Sequence, residues 1–195
     1  MTVPKEIEMF IQTETTPNPA TLKFLPGKVV LESGTAEFLN ASQAQASPLA
    51  AVLFEIPGVT GVYYGFDFIT VTKDGAEWQH LKPAILGSIM EHFMSGRPLM
   101  GTAVAAEISD EEEEFFEAGD ETIVATIKEL LETRVRPAVA QDGGDITFRG
   151  FRDGTVFLNM KGACSGCPSS TATLKHGVQN LLRHFVPEVQ EVEAV

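Results

Sequence analysis

The N-terminal half of the chain alternates short apolar segments with turn residues, a pattern typical of strands mixed with helices. A helix begins at Ser47-Pro48, which supply an N-cap and a first-turn proline, and it ends at Pro57. A second helix is predicted where apolar residues recur every four positions from Leu81 to Phe93, until Ser95-Gly96 stops it. Alternation and turn signals also predict strands at residues 10–15, 21–25, 28–32, 59–64 and 67–72.

The C-terminal half has a clearer pattern. Its first helix is predicted to begin near Asp120 and to end before Pro137, because proline disfavours helical conformation in the residue before it. Alternating residues on both sides of Asp153-Gly154 predict a β-hairpin. A helix over residues 168–186 and a short strand near 189–194 follow. The predicted fold class is α+β, with two small domains of mixed helices and strands. The C-terminal domain has the order helix, strand, strand, helix, strand.

The charge distribution indicates where the two domains divide. The 195 residues carry a net charge of −13, and residues 105–121 contain nine acidic and no basic side chains. Repulsion within such a run favours an extended chain, although Phe115 and Phe116 also allow a solvated acidic helix face. We therefore predict domains at residues 1–104 and 121–195, joined by an acidic linker at residues 105–120.

Composition excludes several classes of function. A pI near 4.7 argues against binding nucleic acid or anionic lipid. No apolar run approaches the roughly 20 residues that a membrane helix requires. Residues 1–10 lack the apolar core of a signal peptide and the arginines of a mitochondrial presequence. We expect a cytoplasmic protein with no membrane association, or a mitochondrial matrix protein written in mature form.

The two cysteines, Cys164 and Cys167, are the strongest candidates for chemistry. They lie at a predicted strand-to-helix turn, where the helix N-terminus is expected to lower the thiol pKa and to favour the thiolate. Three interpretations fit a lone CxxC motif: half of a metal site, a thioredoxin-like redox pair, or two buried cysteines acting as small apolar residues. The N-terminal half has no cysteine, so we assign it to recognition or assembly.

Counting ligands narrows the metal interpretation. A tetrahedral zinc site or a cubane cluster requires four protein ligands, and one chain offers two thiolates. His176 and His184 are too far along the next helix to share a metal with the cysteines, and we expect them on the surface. A two-fold dimer in which each copy gives two cysteines to one centre is the simplest solution. Zinc and iron–sulfur both remain open at this point.

The redox interpretation is weakened by the predicted hairpin. A thioredoxin-like pair usually follows a strand in a βαβ unit of a parallel sheet, whereas here antiparallel strands precede the cysteines. A thiol–disulfide oxidoreductase stays an alternative, as does a zinc-bridged dimer. Nearby, Asp142-Gly143-Gly144-Asp145 is expected first of all to form a tight turn.

The motifs around the cysteines resemble the C-terminal domain of NifU, an iron–sulfur scaffold family. The resemblance rests on Asp142-Gly143-Gly144-Asp145-Ile146 and on Gly162-Ala163-Cys164-Ser165-Gly166-Cys167-Pro168-Ser169-Ser170, and it covers about residues 121–195. The first half resembles the N-terminal domain of Nfu-type proteins through Thr15-Thr16-Pro17-Asn18-Pro19, Thr21-Leu22-Lys23-Phe24 and Gly65-Phe66-Asp67-Phe68-Ile69-Thr70-Val71.

This resemblance implies a function without catalysis. Cys164 and Cys167 are expected to hold a labile 4Fe-4S cluster between the two subunits of a homodimer and to pass it to recipient apoproteins. An exposed position at the subunit boundary would make the cluster easy to release. No enzymatic turnover is expected.

Overall fold

A computed structural model describes residues 9–101, 113–166 and 168–195 of the chain. Within these ranges the chain forms two separate sheets, one in residues 9–101 and one in residues 113–195, and each has its own hydrophobic cluster. We refer to these two ranges as the N-terminal half and the C-terminal half. The predicted α+β fold class is confirmed. No helix in the described ranges combines the length and the apolar character needed to cross a membrane.

The N-terminal half is an antiparallel sheet covered by helices. The strands are β1 (Gln12–Thr15), β2 (Thr21–Leu25), β3 (Ala36–Phe38), β4 (Val59–Tyr64) and β5 (Ile69–Lys73), in the order β1-β2-β5-β4-β3. The helices are α1 (Ala41–Ala44), α2 (Pro48–Phe54) and α3 (Trp78–Ser95). Side chains from the sheet, α2 and α3 share one core, which includes Phe24, Leu53, Ile69, Ile85 and Ile89.

The helix ends of this half follow their local sequence. The Ser47 hydroxyl accepts a hydrogen bond from the N–H of Ala50 at 3.2 Å, which satisfies a free donor of the first turn of α2. Gly96 ends α3 with a φ of 67°, a conformation that costs glycine little. The predicted start of α2 and the predicted end of α3 are confirmed, whereas α2 already ends at Phe54, before Pro57.

The predicted strand at residues 28–32 is wrong. The N–H groups of Val30 and Leu31 both donate to the carbonyl of Phe66, at 2.7 and 3.2 Å, so they do not form a ladder. Val29 is 47% exposed, and the short segment lies between glycines with positive φ at Gly27 and Gly34. The strand that follows Gly34 is β3, which begins two residues later and forms one of the two edges of the sheet.

The C-terminal half has the predicted order of elements. The first helix consists of α4 (Glu121–Leu130), a π-helical turn (Leu131–Val135) and α5 (Arg136–Gln141), and it is followed by β6 (Gly144–Arg152), β7 (Thr155–Gly162), α6 (Pro168–Phe185) and β8 (Glu191–Ala194). Asp153 and Gly154 form the hairpin turn with φ values of 51° and 80°, which confirms the predicted hairpin.

The first helix does not end before Pro137, as the sequence had predicted. A π-helical turn precedes the proline, and the N–H of Arg136 donates to the carbonyl of Leu131, five residues earlier. Pro137 then lies in the first turn of α5, where a missing N–H is tolerated. The helix therefore continues to Gln141.

The cysteine motif lies in a βαβ unit. Strand β7 pairs with β6 in antiparallel fashion, but it pairs with β8 in parallel fashion, and α6 connects β7 to β8. The hairpin therefore does not argue against a thioredoxin-like pair, because the parallel crossover typical of such pairs follows directly. Periodicity predicts the last strand but does not show which strand it pairs with, or in which direction.

The acidic segment is described only in part. Residues 105–112 lie outside the described residues, whereas Phe115 pairs with β6: its N–H donates to the carbonyl of Arg149 at 3.2 Å, and its carbonyl accepts from Phe151 at 2.9 Å. The Phe115 ring also lies 5.1 Å from the ring of Phe157. The linker at 105–120 and the domain boundaries at 1–104 and 121–195 stay predictions.

Candidate functional site

Cys164 lies in the turn between β7 and α6, and side chains and backbone groups of that turn close it. Gly162 ends β7 with a φ of 64°, and its carbonyl accepts from the N–H and the hydroxyl of Ser165 at 3.1 and 2.9 Å. The Thr171 hydroxyl donates to the Cys164 carbonyl at 3.0 Å. Gly166 also has a positive φ, of 78°. Both glycines therefore occupy turn positions with positive φ. We call residues 162–166 the cysteine loop.

The Cys164 thiol is buried, contrary to the exposed position expected from the sequence. The residue is 7% exposed and belongs to the hydrophobic cluster of the C-terminal half. A Cβ atom placed on Gly144 would lie 2.6 Å from the Cys164 Sγ, so only glycine fits there. The thiol therefore packs against the start of β6.

Burial also reverses the expected change in pKa. Desolvation, followed by the carboxylates of Asp142 and Asp145, raises the pKa of Cys164 to about 12. The prediction that the pKa of Cys164 would be lowered is wrong, because loss of solvent raises it and the nearby carboxylates of Asp142 and Asp145 raise it further. At neutral pH the free thiol is protonated, which makes it a poor nucleophile.

Cys167, the other predicted ligand, lies outside the described residues. The described ranges contain no group of three or more His, Cys, Asp or Glu side chains arranged to hold a metal ion. His176 and His184 are exposed on α6, which confirms that they are surface residues. The ligand roles of Cys164 and Cys167 stay predictions.

The turn predicted at residues 142–145 is confirmed, and it precedes an ion pair between the partly exposed Arg136 and the buried Asp145. Gly143 has a φ of 82°, and its N–H donates to the carbonyl of Ala140 at 3.0 Å. The Arg136 guanidinium donates two hydrogen bonds to the Asp145 carboxylate, from Nε to Oδ1 at 2.9 Å and from Nη2 to Oδ2 at 2.8 Å. Asp145 is the second residue of β6, directly after the glycine that contacts the thiol.

Three side chains of the N-terminal half reach the backbone around the cysteine loop, and sequence reasoning missed them. The Glu37 carboxylate accepts from the N–H of Gly162 at 2.9 Å, and the Asn18 amide donates to the carbonyl of Ser165 at 3.5 Å. Lys23 Nζ donates to the carbonyl of Gln141 at 3.0 Å. We call Asn18, Lys23 and Glu37 the clamp residues. Glu37 and Gly162 are 125 positions apart, so no local pattern predicts their contact.

Two clefts between the halves border the same region. One, of about 280 Å³, is lined by residues that include Tyr63, Phe68 and Arg136. The other, of about 310 Å³, lies beside the loop and is lined by residues that include Glu37 and Ser165. Burial raises the pKa of Tyr63 well above its usual range, so the tyrosine is a neutral hydrogen-bonding group at the junction.

Sequence comparison assigns both halves to described protein families. Residues 11–96 match a family described as "Scaffold protein Nfu/NifU N terminal", and residues 127–193 match the "NifU-like domain". The class of protein is thus one in which an Nfu-type N-terminal segment precedes a NifU-like segment. The resemblance inferred from the sequence motifs is confirmed.

Curated relatives extend over nearly the whole chain. The "NFU1 iron-sulfur cluster scaffold homolog, mitochondrial" of Drosophila sechellia is 52% identical over 96% of this chain, which spans 65% of that relative. The human protein of the same name is 51% identical over 96% of this chain, which spans 72% of the human protein. The chain belongs to the Nfu family of NifU-like scaffold proteins.

A solved structure is also similar to part of the chain. The solution NMR structure of a NifU-like protein from Saccharomyces cerevisiae is 30% identical, covers 48% of this chain and 86% of its own, and superposes with a TM-score of 0.44.

Proposed function

We propose that this protein is an iron–sulfur scaffold and carrier, in which Cys164 and Cys167 from each of two copies hold one labile 4Fe-4S cluster for delivery to recipient apoproteins. The observation that carries the proposal is a count: the whole sequence contains two cysteines, in one CxxC motif, within a chain of the scaffold family. A cubane cluster takes four thiolates, so two chains complete what one cannot.

Divided ligation makes the cluster easy to transfer. When two chains each supply two thiolates, loss of the cluster and separation of the dimer are one event, so a recipient that takes the cluster also releases the carrier. We therefore treat the cluster as cargo. The protein is proposed to have no turnover of its own, in keeping with relatives that are named scaffolds.

The surroundings of Cys164 support loading that depends on pH. A ligand thiol must lose its proton when it binds metal, and a thiol whose pKa is raised to about 12 resists that loss. Cluster binding would then displace a proton that the empty site retains. This favours a site that is inert when empty and binds iron only in competition with protons.

The second candidate is a thiol–disulfide oxidoreductase that uses the same cysteines. The βαβ placement of the motif between β7 and β8 favours it. The raised pKa of Cys164 argues against it, because an attacking thiol works best when its pKa lies near the ambient pH. A zinc-bridged dimer is the remaining alternative, because zinc also accepts four thiolates.

Anaerobic reconstitution with iron and sulfide separates these functions. The proposal predicts a brown product with about four irons and four sulfides per two chains. Cys164→Ala and Cys167→Ala should each abolish it, while Ser88→Ala, a change in α3, should load normally. A colourless protein that reduces insulin disulfides would support the oxidoreductase. Stoichiometric zinc with no affinity for iron would support the zinc-bridged dimer.

We propose a division of roles that follows the predicted boundaries. Residues 121–195 would bind the cluster, and residues 1–104 would serve recognition of recipients or control of assembly, joined by the acidic linker at 105–120. The described part of the N-terminal half contains no cysteine but touches the cysteine loop through Glu37, which fits a role in control. The relatives are named mitochondrial, so the matrix is the alternative to the cytoplasmic location predicted from the sequence.

A further inference from the structure

The N-terminal half contacts the backbone of the cysteine loop at one residue before and one residue after Cys164 in sequence. Gly162 lies two positions before the cysteine and donates its N–H to Glu37, while Ser165 lies one position after it and accepts from Asn18. The third contact, from Lys23 to the carbonyl of Gln141, holds the end of α5, where the chain turns towards β6. The clamp residues therefore hold the backbone near Cys164, the residue that the proposed function assigns to the cluster.

The clamp contains charges that are removed from water. Lys23 is only 7% exposed, lies 4.8 Å from the Phe68 ring centroid, and has Glu14 at 3.6 Å as its nearest described counter-ion. Burial also raises the pKa of Glu37, whose described acceptor bond is to the other half of the chain. Charged groups are rarely buried without partners, and here backbone groups beside the cysteine loop supply part of the compensation.

The two surfaces also fit closely in shape. A Cβ atom on Gly143 would lie 2.8 Å from Thr70 Cγ2, and one on Gly162 would lie 3.1 Å from Tyr63 Cδ1. Both glycines have positive φ. Two glycines thus allow β4 and β5 to approach the backbone on either side of the thiol.

A shared cluster requires this same surface. If two CxxC motifs bind one cluster, their loops must approach within a few ångströms of each other, because an iron–sulfur bond is as short as other metal–thiolate bonds, about 2.3 Å. The N-terminal half already lies against the backbone on both sides of Cys164. A second loop that approached this same backbone would have to displace the N-terminal half.

We infer that the cysteine-loop surface has two alternative occupants: the chain's own N-terminal half when no cluster is bound, and the loop of a second copy when a cluster bridges the dimer. The inference rests on the proposed function. The clamp would then keep an empty carrier closed, and loading would require release of Glu37, Lys23 and Asn18 from the loop. The N-terminal half would set how fast the dimer forms.

Full-length clamp variants test the closed state without any cluster. Glu37→Ala removes the acceptor of the Gly162 N–H, whereas Glu37→Gln keeps an amide oxygen in its place. In the iron-free chain, amide hydrogen exchange measured by NMR should accelerate at Gly162 at least about tenfold in Glu37→Ala, and much less in Glu37→Gln, as expected for loss of a charge-assisted hydrogen bond. Lys23→Met and its control Lys23→Arg provide a second pair if Glu37→Ala fails to fold.

The same variants then test the exchange of occupants. During anaerobic reconstitution, Glu37→Ala and Lys23→Met should form the cluster-bridged dimer several-fold faster than the parent chain, with Glu37→Gln close to the parent. If the parent chain forms the cluster-bridged dimer and the variants form it at the same rate, the inference is overturned and the proposed function stays intact. An unprotected Gly162 N–H in the parent would also overturn it. A parent that takes up no iron would refute the proposed function, and the inference with it.

Discussion

Arg136 and Asp145 form a bidentate ion pair that connects the start of β6 to the last part of the preceding helix. The guanidinium donates through Nε and Nη2 at 2.9 and 2.8 Å, and the Asp145 side chain is 7% exposed. The π-helical turn lies directly before Arg136 and shifts the register of the helix at that point. The pair thus connects the helix to the strand whose first residue, Gly144, contacts the thiol.

Breaking this pair should destabilise the fold. Asp145→Asn leaves the guanidinium without its charged partner, and because Arg136 is partly exposed we expect a loss of about 2 kcal/mol in the free energy of unfolding. The exposed neighbour serves as a control: Asp142→Asn should change stability by less than about 0.5 kcal/mol. Urea denaturation of both variants provides the measurement. If Asp145→Asn and Asp142→Asn had the same free energy of unfolding, the stabilising role assigned to the ion pair would be contradicted.

Gly144 should tolerate no side chain. A Cβ there would meet the Cys164 Sγ and the Lys161 carbonyl, both at 2.6 Å, so Gly144→Ala should lower the free energy of unfolding by about 1–3 kcal/mol and impair iron binding. Gly177 lies inside α6 with open space around it, and Gly177→Ala should raise stability by up to about 1 kcal/mol. Thermal denaturation distinguishes the two, and a stable, iron-binding Gly144→Ala would show that the contact is wrong.

The Cys164 thiol should titrate late. Its pKa is raised from 9.0 to about 12, so at pH 8 the thiolate is about 1,000-fold scarcer than in an ordinary cysteine. In the iron-free Cys167→Ser variant, the alkylation rate should still be far below half of its maximum at pH 10, while the guanidinium-denatured variant should reach half of its maximum near pH 9.

The same pKa shift predicts how stability depends on pH. Because the folded state favours the protonated thiol, its contribution is fully present below about pH 9 and is lost as pH rises towards 12. The free energy of unfolding of Cys164→Ala should therefore fall less steeply than that of the parent chain as pH rises above about 9. An alkylation plateau near pH 7 in the folded protein would instead support a redox thiol.

Phe115 should stabilise the C-terminal half although it belongs to the acidic segment. Its ring contacts Phe157 and the guanidinium of Arg152, and its backbone pairs with β6. Phe115→Ala should therefore lower the free energy of unfolding by about 1–3 kcal/mol. Phe116 is 39% exposed, and Phe116→Ala should have a much smaller effect. Similar losses of unfolding free energy in the two variants would show that packing of the Phe115 ring does not stabilise the C-terminal half.

Local sequence signals predicted most of the fold. Ser47, Gly96 and Asp153-Gly154 each act within a few residues of themselves, so their caps and turns could be read directly. The strand predicted at residues 28–32 was wrong because the N–H groups of Val30 and Leu31 form no ladder. The helix end predicted before Pro137 was wrong because a π-helical turn, which gives no clear periodic signal, precedes the proline.

The environment of the site was harder to predict than its location. The CxxC motif marked the correct turn, but the burial of Cys164 depends on Gly144, which a different strand brings against the sulfur. The contact of Glu37 with Gly162 joins positions 125 residues apart and depends on how the two halves pack. Such contacts follow from tertiary structure, and no spacing within the sequence encodes them.

Native mass spectrometry of the iron-loaded protein tests the central claim most directly. The account predicts a single loaded species with the mass of two chains and one 4Fe-4S cluster, which separates into two iron-free monomers when the cluster is removed. A mixture with Cys164→Ala chains should give no bridged heterodimer of comparable stability, because only three thiolates would remain. A loaded species with the mass of one chain that retains all its iron would contradict the account.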